Sequence, residues 1–301
     1  MSDAAGTAAV EETPTEGFWR VPDDVYFADC EFISNSMIGT FINWRPTYFD
    51  KYIAPRQPKD DRSSEDAVAS PDESEEDSKS AMNMGTALHA AVFENHRFHQ
   101  IVSVAPKVDR RTKEGKALWA QFLAESQGKT VITADEFSYV TKMHDNIVAN
   151  PMAMQLLSMP GIKEVPIRWR DKRSGLWCKG KPDLVSESGI LVDLKSCRTC
   201  RMPAWARLVR DRGYHRQAAM YIDGLKSIGV EMHSFVHIAV HNAPPFECFV
   251  YELTDRPIQM GRNEYQTALL NIRDSLESDD WSEPMSQVVQ KVDFPEWMYR
   301  E

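Results

Sequence analysis

The chain has 301 residues, 42% of them hydrophobic and 27% charged, with a formal net charge of −10. That is enough chain to bury one sizeable core or two small ones, in a composition typical of soluble globular proteins. No run approaches the roughly 18 apolar residues of a transmembrane helix, the opening residues lack the basic and apolar regions of a secretory signal, and five cysteines suggest no disulfide framework, so a reducing cytoplasmic setting away from membranes is expected.

Residues 1–24 begin small, polar and acidic and are expected to be disordered. Residues 25–55 differ, carrying Phe32, Ile33, Met37, Ile38, Phe41, Trp44, Tyr48 and Phe49 among other apolar groups. The pattern Ser34-Asn-Ser36 followed by spaced hydrophobes predicts a capped helix packing on a core. Residues 56–80 hold nine acids and almost no bulky apolar side chain. They read as a solvated linker or loop. The acid excess is therefore concentrated in the first 80 residues, and the remainder is close to charge balance. Local clustering, not the total, must be read there for a nucleic-acid partner.

Residues 81–301 read as one folded domain. Met84, Leu88, Ala91 and Val92 predict a helix over about 82–96, and two more are expected over about 112–127 and 134–150. The period then changes. Residues 164–170, 176–185 and 189–195 read as a meander of three strands, separated by turn-forming Asp171–Gly175 and Ser186–Gly189. A helix over about 203–227, strands near 233–241 and 246–253, and a helix over about 255–278 complete the domain. The expectation is an α/β (α+β) fold: one central mixed sheet flanked by helices.

Chemistry concentrates at Asp183 and at Asp193-Leu-Lys195, ten residues on. A tight turn makes their strands neighbours. Asp193 and Lys195, two apart on a strand, share a face, while Val192 and Leu194 point into apolar packing. Read alone, Asp-x-Lys is a surface salt bridge worth about 0–1 kcal/mol. Two carboxylates and an ammonium on a largely buried sheet are a different matter. Hard oxygen ligands of this kind suit Mg²⁺, with Mn²⁺ able to substitute, better than Zn²⁺.

Pro182-Asp183 followed by Asp193-Leu-Lys195 resembles the core of the PD-(D/E)XK nuclease superfamily. Gly85-Thr-Ala-Leu-His89 and Gln217-Ala-Ala-Met-Tyr221 resemble the GxxxH and QxxxY motifs of its RecB-like exonuclease branch. Together with Arg111-Thr-Lys-Glu-Gly-Lys116, they are most similar to the RecE (exodeoxyribonuclease VIII) nuclease family and its phage and prophage relatives, over about residues 30–255. The resemblance implies a restriction-endonuclease-like core. It also implies a metal-dependent exonuclease on linear duplex DNA, 5′→3′, leaving 3′ single strands for recombination. A RecT-type single-strand-annealing partner and a ring-shaped homotetramer are further implications.

The flanking motifs fit physically. Gly85 and His89 are one helical turn apart, so the glycine allows a neighbouring element to approach and the imidazole can join the metal shell. Gln217 and Tyr221 are likewise four apart, on a face that can hold a phosphate or the attacking water, although an ordinary amphipathic helix gives the same pattern. Glu164 is the candidate for the additional acid that the resemblance implies, with Glu94 as the competing choice. The metal set is thus His89, Asp183, Asp193 and Glu164, and the catalytic set Asp183, Asp193, Lys195, Gln217 and Tyr221. Arg198, Arg201, Arg207, Arg210 and Arg216 form a candidate DNA-binding face, with Trp169, Trp177 and Trp205 as stacking positions. Cys30 precedes the core but only Cys248 follows the Gln217/Tyr221 helix, so no iron–sulfur cluster is expected. A sequence- or structure-specific endonuclease on the same fold is the alternative enzyme, and a catalytically silent DNA-binding protein the alternative class.

Overall fold

Ile190-Leu-Val-Asp-Leu-Lys-Ser-Cys197 is apolar enough on both sides of its pleat to run through the interior. It forms the middle strand of the largest sheet. The computed structural model describes residues 14–56 and 73–283, together with 289, 291 and 293. Its elements begin with β1 (Gly17–Phe18), α1 (Asp23–Ala28), α2 (Asn35–Asn43), α3 (Arg45–Tyr48) and α4 (Glu73–Phe93). Next come α5 (Phe98–Ile101), β2 (Val102–Val104), α6 (Lys113–Glu125), β3 (Thr130–Ile132), α7 (Ala134–Ala149) and α8 (Pro151–Leu157). The strands β4 (Gly161–Lys163), β5 (Ile167–Arg170), β6 (Trp177–Gly180), β7 (Leu184–Ser186) and β8 (Ile190–Cys197) follow. The last elements are α9 (Ala204–Asp211), α10 (Tyr214–Ser227), β9 (Ser234–His241), β10 (Cys248–Glu252) and α11 (Asp255–Ser278).

The central sheet has the order β10-β9-β8-β7-β4 and is mixed: β8 and β9 are parallel, and the other pairs antiparallel. One face buries Leu184, Val192, Leu194, Val236, Ile238 and Val240 in a cluster with Leu88 of α4, Met143 and Ile147 of α7 and Leu156 of α8. The opposite face buries Val185, Leu191 and Phe235 with side chains of α2, α10 and α11. This is an α/β fold of the expected class, with the sheet sandwiched between helical layers.

The expected single sheet is in fact three among the described residues. β5 and β6 leave the central sheet and join β1 in a separate antiparallel sheet, and β2 pairs with β3 in parallel. The break falls at Lys181-Pro182-Asp183, where proline cannot donate to a ladder. The expected strand 176–185 therefore splits, and Asp183 sits before β7 instead of ending a strand. Residues 17–24, expected to be disordered, form β1 and the start of α1. They are anchored by a Trp19 N–H bond to the Pro166 carbonyl (2.7 Å) and edge-on packing of Trp19 against Phe32. Residues 1–13 and 57–72 lie outside the described residues, and the acidic stretch ends in the helix α4, which starts at Glu73.

Residues 34–53 pack on the core as the spacing predicts. Ser34 caps α2 by accepting the Met37 N–H (3.3 Å), α2 buries Met37, Ile38 and Phe41, and Tyr48 stacks on Trp281. The expected helix over 203–227 is divided at Gly213, whose φ of +66° ends one helix and opens the next. α7 starts with a reciprocal capping box between Thr133 and Glu136. The elements α8, β2, β3 and β4 are too short to register in the hydrophobic period.

Candidate active site

Three segments distant in sequence meet beside the end of β7. His89 comes from α4, Glu164 from the residue after β4, and Asp183 from the break before β7. His89 Nδ1 lies 3.1 Å from Glu164 Oε1 and 3.5 Å from Asp183 Oδ1. One ligand atom from each of the three falls within 4.8 Å of the others. The second imidazole nitrogen, Nε2, is 3.1 Å from the main-chain carbonyl of Leu194. Asp183 Oδ2 accepts the Leu194 N–H at 2.6 Å, which ties the carboxylate to β8. Glu164 has a positive φ of 52°, uncommon for a side chain with Cβ, and its N–H is bonded to the Asp183 carbonyl (3.0 Å).

Charge is crowded here. Burial pushes the Asp183 carboxyl up to about 7, with His89 opposing the rise and the Asp193 charge adding to it. Burial alone would lower His89, but the Asp183 charge and the Glu164 hydrogen bond outweigh it and raise the imidazole to about 9. Glu164 is held below the usual carboxylate range: burial opposes this, but His89 and Lys181 prevail. A divalent cation can take the place of the His89 proton, and the donor set of one imidazole, two carboxylates and a nearby carbonyl fits such an ion.

Asp193 shares a face with Lys195, as its spacing suggests. It is 2% exposed and pairs with Lys195, Nζ to Oδ2 2.7 Å, and it is not among the three residues that converge most tightly. Lys195 also lies over the Tyr214 ring, 4.9 Å from its centroid. Apart from that ion pair, neither Asp193 oxygen has a polar partner at hydrogen-bond distance among the described residues. A buried carboxylate held by one ammonium beside a cluster of acids is a further donor that a cation would satisfy.

A cleft of about 1370 Å³ opens above these groups. His89, Glu164, Asp183 and Lys195 line it, as do Gln217 and Tyr221 of α10 and residues of α1 and α2. Gly85 lines it too. A Cβ there would meet nothing within 4 Å, so the glycine faces open cleft and admits no neighbouring element, contrary to expectation. Gln217 donates to Tyr221 Oη (3.1 Å), and burial pushes that phenol up to about 12. Tyr221 lies over Gly180, where a Cβ would come within 2.4 Å of the ring. Glu94 also lines the cleft, but pairs with Arg97 (2.9 Å) outside the cluster.

The basic face is narrower than expected. Of the five predicted arginines, Arg210 and Arg216 line the cleft, joined by Arg212; Arg198, Arg201 and Arg207 do not. Arg216 is buried, donating to Asn35 Oδ1 (2.9 Å), and Arg201 is paired with Glu247. Trp169 and Trp205 are core residues, 3% and 2% exposed, and Trp177 packs edge-on against Phe32, so none is an open stacking platform. Lys181, at the end of a basic stretch that begins at Lys163, bridges Glu164 Oε2 (3.1 Å) and Asp23 Oδ1 (2.8 Å), a contact that spacing did not foretell. Its place directly before Pro182-Asp183 was the available signal.

The family described as a PDDEXK-like domain of unknown function (DUF3799) matches residues 59–288. A search of curated proteins finds no match. Among solved structures, one from Eubacterium rectale named "Putative exonuclease" aligns with a TM-score of 0.56 and 15% identity, over 92% of this chain and 97% of that one. The structure of SSO0001 aligns at 0.28 and 14%, over 61% and 84%, and LHK-Exo bound to dAMP at 0.25 and 13%, over 67% and 97%. The first of these likenesses is one of fold.

Proposed function

Because the chain belongs to the PDDEXK-like family, a nuclease fold, we propose that it is a divalent-metal-dependent exodeoxyribonuclease hydrolysing linear duplex DNA from its ends. The observation that carries this reading is the convergence of His89, Glu164 and Asp183 at the floor of a cleft that also holds Lys195. The donors suit Mg²⁺, and the imidazole among them favours Mn²⁺ as an effective substitute. Asp193 completes the set from behind.

A bound cation would supply charge neutralisation at the scissile phosphate and a lowered pKa for a coordinated water. Lys195, held by Asp193, presents an ammonium toward that position and stabilises negative charge developing on phosphate. Arg210 and Arg212, which line the cleft, hold flanking phosphates, and Gln217 and Tyr221 line the same cleft. The RecE-like reading, with 5′→3′ polarity, 3′ single strands, an annealing partner of the RecT type and a ring oligomer, is supported by the four ordered motifs. Incubation with linear and with covalently closed circular DNA in Mg²⁺ tests end dependence: linear duplex is degraded and closed circles persist. Cutting of closed circles would favour the endonuclease reading.

A further inference from the structure

β9 runs parallel to β8 and sets His237 directly opposite Asp193. The imidazole is fully buried, and neither ring nitrogen has a hydrogen-bond partner among the described residues. Its Nε2 is 3.8 Å from Asp193 Oδ2, the oxygen that Lys195 Nζ approaches to 2.7 Å. Three aromatic rings enclose it: Phe235 at 5.1 Å, Trp205 at 5.3 Å and Tyr214 at 5.8 Å between centroids.

Such an environment suits phenylalanine. A buried polar ring left without a hydrogen bond loses its hydration uncompensated, so histidine here has a cost that packing alone does not explain. The group facing it is the carboxylate of the Asp-x-Lys strand, which is not one of the three residues that converge at His89. A displacement of less than 1 Å turns the 3.8 Å approach into a hydrogen bond.

We propose that His237 is a positioning residue for Asp193: its Nε2–H donates to Oδ2 and fixes the carboxylate so that Oδ1 is directed to the metal. Lys195, paired with that same Oδ2, is then free to swing toward phosphate while Asp193 stays in place. The inference rests on the reading of Asp193 as part of a metal-dependent centre.

Calorimetric titration of the full chain with Mn²⁺ tests it, on the wild type and on His237→Phe, His237→Gln and Asp193→Asn, with thermal unfolding measured in EDTA. His237→Phe keeps the ring and loses the donor. It is expected to match or exceed wild-type thermal stability while weakening Mn²⁺ about tenfold, at the lower end of what loss of an outer-shell partner brings. His237→Gln retains a donor and recovers most of that loss. In the Asp193→Asn background, His237→Phe has no further effect. His237→Leu carries the same test should the phenylalanine variant not fold. Full Mn²⁺ affinity in a folded His237→Phe or His237→Leu protein, alongside weakened affinity in Asp193→Asn, overturns the role of His237 alone. Full affinity in Asp193→Asn overturns the assignment of the centre with it.

Discussion

His89 Nδ1 and Glu164 Oε1 stand 3.1 Å apart, joined across 75 residues of sequence. The contact holds an imidazole between two carboxylates, and one of them, Glu164, is presented by a residue in the left-handed region of backbone space. Strain of this kind, about 1–3 kcal/mol, persists where surrounding structure over-determines it. Here the Glu164 N–H bond to Asp183 and the Lys181 ammonium do so. Without a cation the site is a knot of opposing charges, and its behaviour with pH follows from that.

Metal stabilisation of the fold should grow with pH. His89 titrates at about 9 in the folded protein against 6.5 ordinarily, so its contribution is present below about 6.5 and lost as pH climbs through about 9. Asp183 is raised to about 7 from 3.8, and ionising it in the folded state costs stability over that interval as well. Both effects make the metal-free protein less stable toward alkaline pH. A cation reverses both, since protons and metal compete for the same atoms. The difference in unfolding temperature between Mn²⁺ and EDTA is therefore expected to widen from pH 6 to pH 9. A constant difference would show that His89 and Asp183 do not hold the ion.

Asp183→Asn should separate stability from activity. Removing a carboxyl that burial disfavours in its charged form raises the unfolding temperature in EDTA at pH 8 and has little effect at pH 4. Nuclease activity should fall by about 10²–10³-fold or more, as expected when a preorganised electrostatic group is lost. Lys195→Ala should lose activity on the same scale while leaving Mn²⁺ binding largely intact. Turnover and calorimetry together distinguish the two variants.

Some of this arrangement was legible in the sequence. Asp193 and Lys195 had to share a face because they are two apart on a strand, and Gln217 and Tyr221 because they are four apart on a helix. The helices α6, α7 and α11 follow from period and from capping threonines such as Thr112 and Thr133. The place of His237 was not legible, because β8 and β9 are parallel and joined through two helices, a pairing no local spacing encodes. The three tryptophans misled for a related reason: a basic neighbourhood suggests a nucleic-acid face, but Trp169 and Trp205 are drawn into the core. Pro182 was visible, and its effect on the strand around it places Asp183 where the ligands gather.

Arginines at the cleft should matter and those elsewhere should not. Arg210 and Arg212 line the cleft, so Arg210→Ala/Arg212→Ala is expected to weaken DNA binding and to reduce the salt dependence of log K by about two, one for each phosphate contact. Arg201 is committed to Glu247 outside the cleft, and Arg201→Ala should leave both quantities unchanged. Binding measured across a salt series on a metal-free, catalytically inactive Asp183→Asn background reads the two directly.

Gly180 should tolerate no side chain. A Cβ there would stand 2.4 Å from the Tyr221 ring, and that ring is 7% exposed and backed by core. Gly180→Ala is expected to cost about 1–3 kcal/mol by overpacking and to displace the Tyr221 hydroxyl from Gln217. Both a lower unfolding temperature and a raised KM for DNA should follow, whereas Tyr221→Phe should change KM with a smaller loss of stability.

Metal-dependent digestion from DNA ends is tested by degradation of linear duplex labelled separately at its 5′ and 3′ ends, with Mg²⁺ and with EDTA, by wild type and Asp183→Asn. Rapid release of the 5′ label as small products, retention of the 3′-labelled strand at early times, and no release in EDTA or with the variant are expected. Degradation that continues in EDTA, or an Asp183→Asn protein as active as the wild type, would contradict this expectation.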